Sequence, residues 1–117
     1  MLSDLVDRAP GARGAIFCDF EGEFISLVIR DPRLSEFEMK IAGATVASAW
    51  TNLRSEGAAQ AAGMPLEMKI GCAEGTLLCR GLPEGYYLVL LLGSQKPVGA
   101  CAYVLAKAAD AFARELI

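Results

Sequence analysis

The segment from Ser35 to Ala61 constrains the fold most, because it predicts one long helix. Ser35 and Glu38 have the spacing of a capping box, in which each side chain bonds the other residue's backbone N–H. The helix is therefore expected to begin at Glu36. It should run to about Ala61, since Gly63 follows shortly after.

This helix carries apolar residues on two faces. Met39, Val46 and Leu53 recur every seven residues and predict one apolar stripe. Phe37 and Ile41 begin a second apolar face. A helix on a sheet needs only one such face, and a small domain has little room to surround a helix. One face is therefore expected to pack on a sheet and the other on a twin helix or another partner. The alternative is a helix buried within one subunit.

The other elements follow from hydrophobic alternation and turn residues. They are a short helix at 2–8, strands at 12–18, 24–29, 66–72, 76–82 and 86–92, and a last helix that ends at Leu116. The strand at 86–92 is apolar throughout, so it is expected to be central and covered on both faces. No repeat or linker interrupts the order. Residues 1–117 are predicted to form a single α+β domain with an antiparallel meander.

The strand at 66–72 is expected to be a free edge in the monomer. Edges are usually blunted with charge, and Glu67 and Lys69 supply some. The same residues would tolerate pairing across a two-fold axis. Trp50 has two interpretations: a core residue or an interface anchor. The residues predicted to form the dimer or partner interface are Met39, Ala42, Gly43, Val46, Ala49, Trp50, Leu53, Glu67 and Lys69.

Composition argues against several classes of function. The net charge is −3 and the 11 basic residues are scattered, whereas nucleic-acid binding needs a basic patch. The chain has no histidine, and its four cysteines match no zinc or redox spacing, so no metal or cofactor is predicted. The cysteines are expected to be small hydrophobes in a reduced cytosol. Neither a signal peptide nor a membrane-spanning apolar run is found, and a cytoplasmic protein is expected.

No catalytic constellation emerges, so a non-enzymatic protein is predicted. A cysteine nucleophile would want a histidine partner, and no phosphate-binding glycine loop is present. An arginine finger directed at a GTPase would use Arg13, Arg33, Arg54 or Arg80. Ordinary solvated arginines are expected instead.

Three segments together resemble the Roadblock/LC7 family, which is related in fold to longin and profilin domains. They are the first hairpin at 11–22, the last strand at 85–92, and the alanine-rich helix at 98–116. The resemblance implies a five-stranded antiparallel sheet with the long helix on one face and the terminal helices on the other. The first helix begins almost at Met1 and is shorter than the family pattern.

The resemblance also implies a function. Members form dimers in which edge strands join into one sheet and the long helices pair. They act as adaptors or regulators, and bacterial members partner small Ras-like GTPases. The chain is therefore expected to be a homodimeric regulatory module, with a Ras-like GTPase or another protein as its partner. The alternatives are a small-molecule sensor of PAS or GAF type and a structural subunit of a larger assembly.

Overall fold

The computed structural model describes residues 1–55 and 57–116, apart from the side chains at 55 and 57–59. Its helices are α1 Leu2–Arg8, α2 Glu36–Ser55, α3 Gly57–Ala62 and α4 Val98–Leu116, and its strands are β1 Ala12–Cys18, β2 Phe24–Ile29, β3 Glu67–Cys72, β4 Gly75–Gly81 and β5 Tyr87–Gly93. Every predicted element is present, and each strand bound lies within one residue of the prediction. The predicted helix at 36–61 corresponds to α2 and α3, with position 56 outside the described residues.

The five strands form one antiparallel sheet in the order β2-β1-β5-β4-β3. The central strand is β5, where Leu88, Val89 and Leu90 are fully buried. This confirms the prediction made from the apolar run at 86–92. The two edges are β2 and β3, as expected for β3.

The capping box fixes the start of α2. The Glu38 backbone N–H donates to Ser35 Oγ at 3.0 Å, and the Ser35 N–H donates to Glu38 Oε1 at 2.9 Å. The second of these hydrogen bonds holds the pKa of the Glu38 carboxyl below its usual range. The prediction of a helix that begins at Glu36 is therefore confirmed.

Each face of the sheet is covered by a different set of helices. The terminal helices α1 and α4 pack on one face, and α2 packs on the other, as the resemblance implies. We call the second side the α2 side. The described residues bury no polar or charged residue in either core cluster. No described helix is long and apolar enough to cross a membrane.

Three of the four cysteines behave as small core residues. Burial raises the pKa of Cys18 and of Cys79 to about 12, which keeps both thiols protonated, and Cys101 is also buried. Cys72 is exposed, contrary to the expectation, because it ends the edge strand β3.

Candidate interaction surface

The largest side chains predicted for the interface lie in the core. Met39 and Val46 have no exposed surface, and Trp50 is 4% exposed. The Trp50 ring centroid lies 6.4 Å from that of Tyr87 on the central strand. A helix that lies on one sheet turns its main apolar stripe inward. The interface prediction is therefore corrected for these three, and Trp50 is a core residue.

Gly43 also faces the sheet. A Cβ atom at Gly43 would lie 2.8 Å from Cys18 Sγ and 3.3 Å from Ile16 Cδ1. The missing side chain lets α2 approach β1 closely. Its small size therefore serves the contact of helix with sheet, and the prediction that Gly43 lies in the dimer or partner interface is corrected.

One contact shows how α2 is oriented along the sheet. Lys40 Nζ lies 4.1 Å from the centroid of the Phe24 ring on β2, so this flank of the helix faces the β2 edge. Because a helix turns 100° per residue, the other flank faces the β3 edge. The predicted interface residues on that other flank are Ala42, Ala49 and Leu53, all half-buried.

The sheet beside this second flank is apolar and only half covered. Met68 and Ile70 of β3 and Leu77 of β4 lie on the α2 side, and all three are half-buried. The helix packs mainly over β1 and β2, at the opposite end of the sheet. One molecule therefore leaves an apolar strip between α2 and the β3 edge open to solvent.

The β3 edge has free backbone groups of known position. The Leu66 carbonyl accepts a hydrogen bond from the Gly81 N–H at 3.0 Å. Hydrogen-bonded pairs alternate along an antiparallel ladder, and the β3–β4 register has no shift. Residues 67, 69 and 71 therefore direct their N–H and C=O groups away from β4. The predicted residues Glu67 and Lys69 are exposed, and Glu67 Oε2 lies 2.8 Å from Arg80 Nη1.

The outward face of α2 displays Phe37 and Ile41, which were predicted to begin a second apolar face but were not among the residues predicted for the interface. Phe37 is 70% exposed and Ile41 is 50% exposed. Thr45, Ser48 and Asn52 share the outward half of the helix and are exposed too. Polar residues at these positions indicate that this face of the helix is exposed to solvent rather than packed in the core. They could have identified the outward face from the sequence alone.

The arginines considered as fingers are mostly held in ion pairs. Arg13 Nε lies 2.7 Å from Asp31 Oδ2, and Arg33 Nε lies 3.1 Å from Asp31 Oδ1. Hydrogen bonds from Arg33 and Arg13 hold the pKa of Asp31 well below its usual range. Arg80 binds Glu67. Such pairing is typical of structural surface arginines.

Within residues 1–55 and 57–116, no group of three or more His, Cys, Asp or Glu side chains could hold a metal ion. A ligand-sensing domain would need polar groups that converge on an internal pocket. Apart from the hydroxyl of Tyr87, the two core clusters, as far as the structure describes them, are built from apolar residues. They give the sensor alternative no support.

Comparisons with known proteins give the fold. No protein-family model and no curated protein matches the chain. Among solved structures, a Roadblock/LC7 domain from Streptomyces avermitilis is 19% identical with a TM-score of 0.83, over 98% of this chain and 93% of that one. The gliding protein MglB from Thermus thermophilus is 18% identical with a TM-score of 0.84, over 97% and 83%.

A profilin matches the same topology at a lower score. Profilin II from Acanthamoeba castellanii is 15% identical with a TM-score of 0.62, and the match covers 100% of both chains. The sheet order, the placement of the helices and these similarities agree with the expected architecture. The chain therefore has the Roadblock/LC7 fold, which is profilin-like in topology.

Proposed function

We propose that this protein is a non-enzymatic, homodimeric interaction module that binds a small Ras-like GTPase. The observation that supports the dimer is the half-covered apolar strip beside the β3 edge. Met68 and Ile70 form its floor, and the 100° turn per residue places the half-buried Ala42 and Ala49 on the flank of α2 that faces it. A second copy related by a two-fold axis would bring the same strip and the same helix flank to it.

The small side chains on this flank of α2 suit such a dimer. Two helices approach most closely where their facing residues are small, and Ala42 and Ala49 lie at that flank. Leu53 adds a larger apolar contact near the end of α2. Pairing the free N–H and C=O groups of two β3 edges would add backbone hydrogen bonds. The β3 edges would then join into one sheet, as the resemblance implies.

Light scattering on a size-exclusion column tests the dimer. Wild type should elute as a dimer, and Ala49→Glu should elute as a folded monomer with unchanged circular dichroism, because a carboxylate would be buried without a partner. Ile25→Glu is the matched control: Ile25 is an exposed apolar residue of the opposite edge strand, and this variant should remain dimeric. A folded wild-type monomer would reject the homodimer and direct attention to a heteromeric partner.

The partner surface in this proposal is the outward face of the paired α2 helices. Aromatic residues, phenylalanine among them, are enriched in protein interfaces relative to the rest of the surface. Phe37 is the largest exposed side chain on the helix, and Ile41 lies one turn away on the same face. A Ras-like GTPase is the partner class that the family resemblance implies. A cytoplasmic location belongs to the same proposal, because a Ras-like GTPase would be met there.

Binding to purified Ras-like GTPases of the source organism tests this partner class. Each GTPase is loaded with GDP or a non-hydrolysable GTP analogue, and affinity and hydrolysis rate are measured. Phe37→Ser should abolish binding and any stimulated hydrolysis. Tyr103→Ser should leave both unchanged, since Tyr103 is a similarly exposed aromatic residue on α4, at the other face of the sheet. Equal loss in both variants, or no binding by wild type, would reject the proposal.

A further inference from the structure

The charges on β3 distinguish between the ways in which two copies of the edge can pair. An antiparallel pair related by a two-fold axis must place residues with outward backbone groups opposite one another. On β3 these are residues 67, 69 and 71, as the Gly81–Leu66 hydrogen bond fixes. Registers centred on Lys69 or on Ile70 satisfy this rule and pair five of the six residues of β3. A register centred on Met68 also satisfies it, pairs residues 67–69 of β3, and extends the pairing to Leu66 opposite Ile70.

These registers differ in which charges meet. Centred on Lys69, the pairing places two lysines directly opposite each other, and like charges in that position are unfavourable. Centred on Ile70, it places Lys69 opposite Gly71 and leaves the charges without cross-strand partners. Centred on Met68, it places Glu67 of each copy opposite Lys69 of the other. Opposite charges in facing positions are favourable.

The register centred on Met68 also places apolar residues of the two copies opposite each other. Leu66 is 70% exposed in one molecule and alternates onto the same side as Met68. Centred on Met68, the pairing places Leu66 opposite Ile70 of the second copy, on the α2 side. The ion pair of Arg80 with Glu67 would then extend across three strands, as a row of cation, anion and cation. Charge and apolar contacts therefore favour the same register.

We propose that two copies pair their β3 edges antiparallel about a two-fold axis at Met68, with Glu67 opposite Lys69 of the second copy. This inference rests on the proposed homodimer and adds its register. Met68 then faces its own counterpart in a non-hydrogen-bonded pair, where the Cα atoms are about 4.5 Å apart. Such a separation suits a disulfide between cysteines at that position.

Disulfide trapping tests the register directly. In a Cys72→Ser background, which removes the exposed native thiol, Met68→Cys, Lys69→Cys and Ile70→Cys are oxidised separately and run on non-reducing gels. Met68→Cys should cross-link nearly completely and the other two weakly. Cross-linking that is strongest at position 69 or 70 would overturn the register while leaving the dimer in place. A monomeric wild type would overturn both.

Charge reversal gives a second readout that does not depend on cysteines. Lys69→Glu would place two glutamates opposite each other at two symmetric positions, so the dimer dissociation constant should rise roughly tenfold at low salt. An equimolar mixture of Lys69→Glu and Glu67→Lys chains should form heterodimers with affinity near that of wild type. In the registers centred on Lys69 or Ile70, Lys69→Glu removes no attraction between copies. An unchanged dissociation constant for this variant would therefore count against Met68 as the centre.

Discussion

Gly43 of α2 lies so close to Cys18 of β1 that a Cβ atom on the glycine would stand 2.8 Å from the cysteine Sγ. Overpacking of this kind costs about 1–3 kcal/mol, against a gain of up to about 1 kcal/mol from helix propensity. We therefore expect Gly43→Ala to lower the free energy of unfolding in urea. Adding Cys18→Ala should recover part of the loss. Gly99→Ala is the control, since nothing lies within 4 Å of its Cβ position, and it should not destabilise the fold.

Ser35→Ala should destabilise the protein by about 1 kcal/mol, the usual effect of losing an N-cap. The cause is the loss of the hydrogen bond that the Glu38 N–H donates to Ser35 Oγ. Thermal unfolding with Ser48→Ala as the control measures the effect, because Ser48 is an exposed serine within the same helix. Equal melting temperatures for Ser35→Ala and wild type would contradict a stabilising capping box.

Asp31→Asn should destabilise the fold at neutral pH, and the effect should shrink as the pH falls. The Asp31 side chain is 9% exposed and is bonded by Arg13 and Arg33, which hold its pKa well below the usual value. A carboxyl whose pKa is lower in the folded state contributes stability above its unfolded pKa of about 3.9. That contribution is lost as the pH falls through the folded pKa.

Urea unfolding of both proteins at pH 7, 5 and 3 measures this dependence. The difference between wild type and Asp31→Asn should be constant from pH 7 to 5 and smaller at pH 3. A difference that grows on acidification would contradict the ion pairs. Asp110→Asn serves as the control, as an exposed aspartate on α4.

Tyr87→Phe should leave stability unchanged or increase it. Among the described residues, the buried Tyr87 hydroxyl has no hydrogen-bond partner, and burial raises its pKa to about 12. An unsatisfied buried polar group costs about 1–3 kcal/mol, which the phenylalanine would avoid. Calorimetry of the two proteins decides the sign, and a clear loss of stability would mean that the hydroxyl has a bound water or another partner.

A comparison of Val46→Glu with Ala49→Glu should distinguish a core position from an interface position. Val46 has no exposed surface, so an unpaired carboxylate there should cost more than about 4 kcal/mol and abolish cooperative unfolding. Ala49 is half-buried on the flank that faces β3, and its variant should stay folded. Circular dichroism during urea titration compares them. Two equally folded variants would contradict the orientation of α2.

The order and bounds of the elements were predictable because each depends on local chemistry. The Ser35–Glu38 capping box and the apolar run at 86–92 can be recognised in the sequence without the tertiary structure. Which face of α2 packs on the sheet was not predictable in the same way. A heptad such as that of Met39, Val46 and Leu53 can pack either on a sheet or on a twin helix. Only the position of the sheet in the structure shows which side of the helix packs on it.

The β3 edge shows a second limit of sequence reasoning. Alternation predicted the strand and its charged residues, Glu67 and Lys69. The direction in which each backbone group points depends on the register with β4, which the Leu66–Gly81 hydrogen bond reveals. Cys72 was expected in the core because its neighbours are apolar, and its exposure follows from its place at the end of an edge strand.

Phe37, the most exposed aromatic residue of α2, lies between the two members of the capping box. The backbone that carries it is held by reciprocal hydrogen bonds in the first turn, where unrestrained helices fray. A protein that binds Phe37 would therefore meet a contact already in its final conformation and would lose little backbone entropy in ordering it. Rapid association without a conformational step is the kinetic consequence.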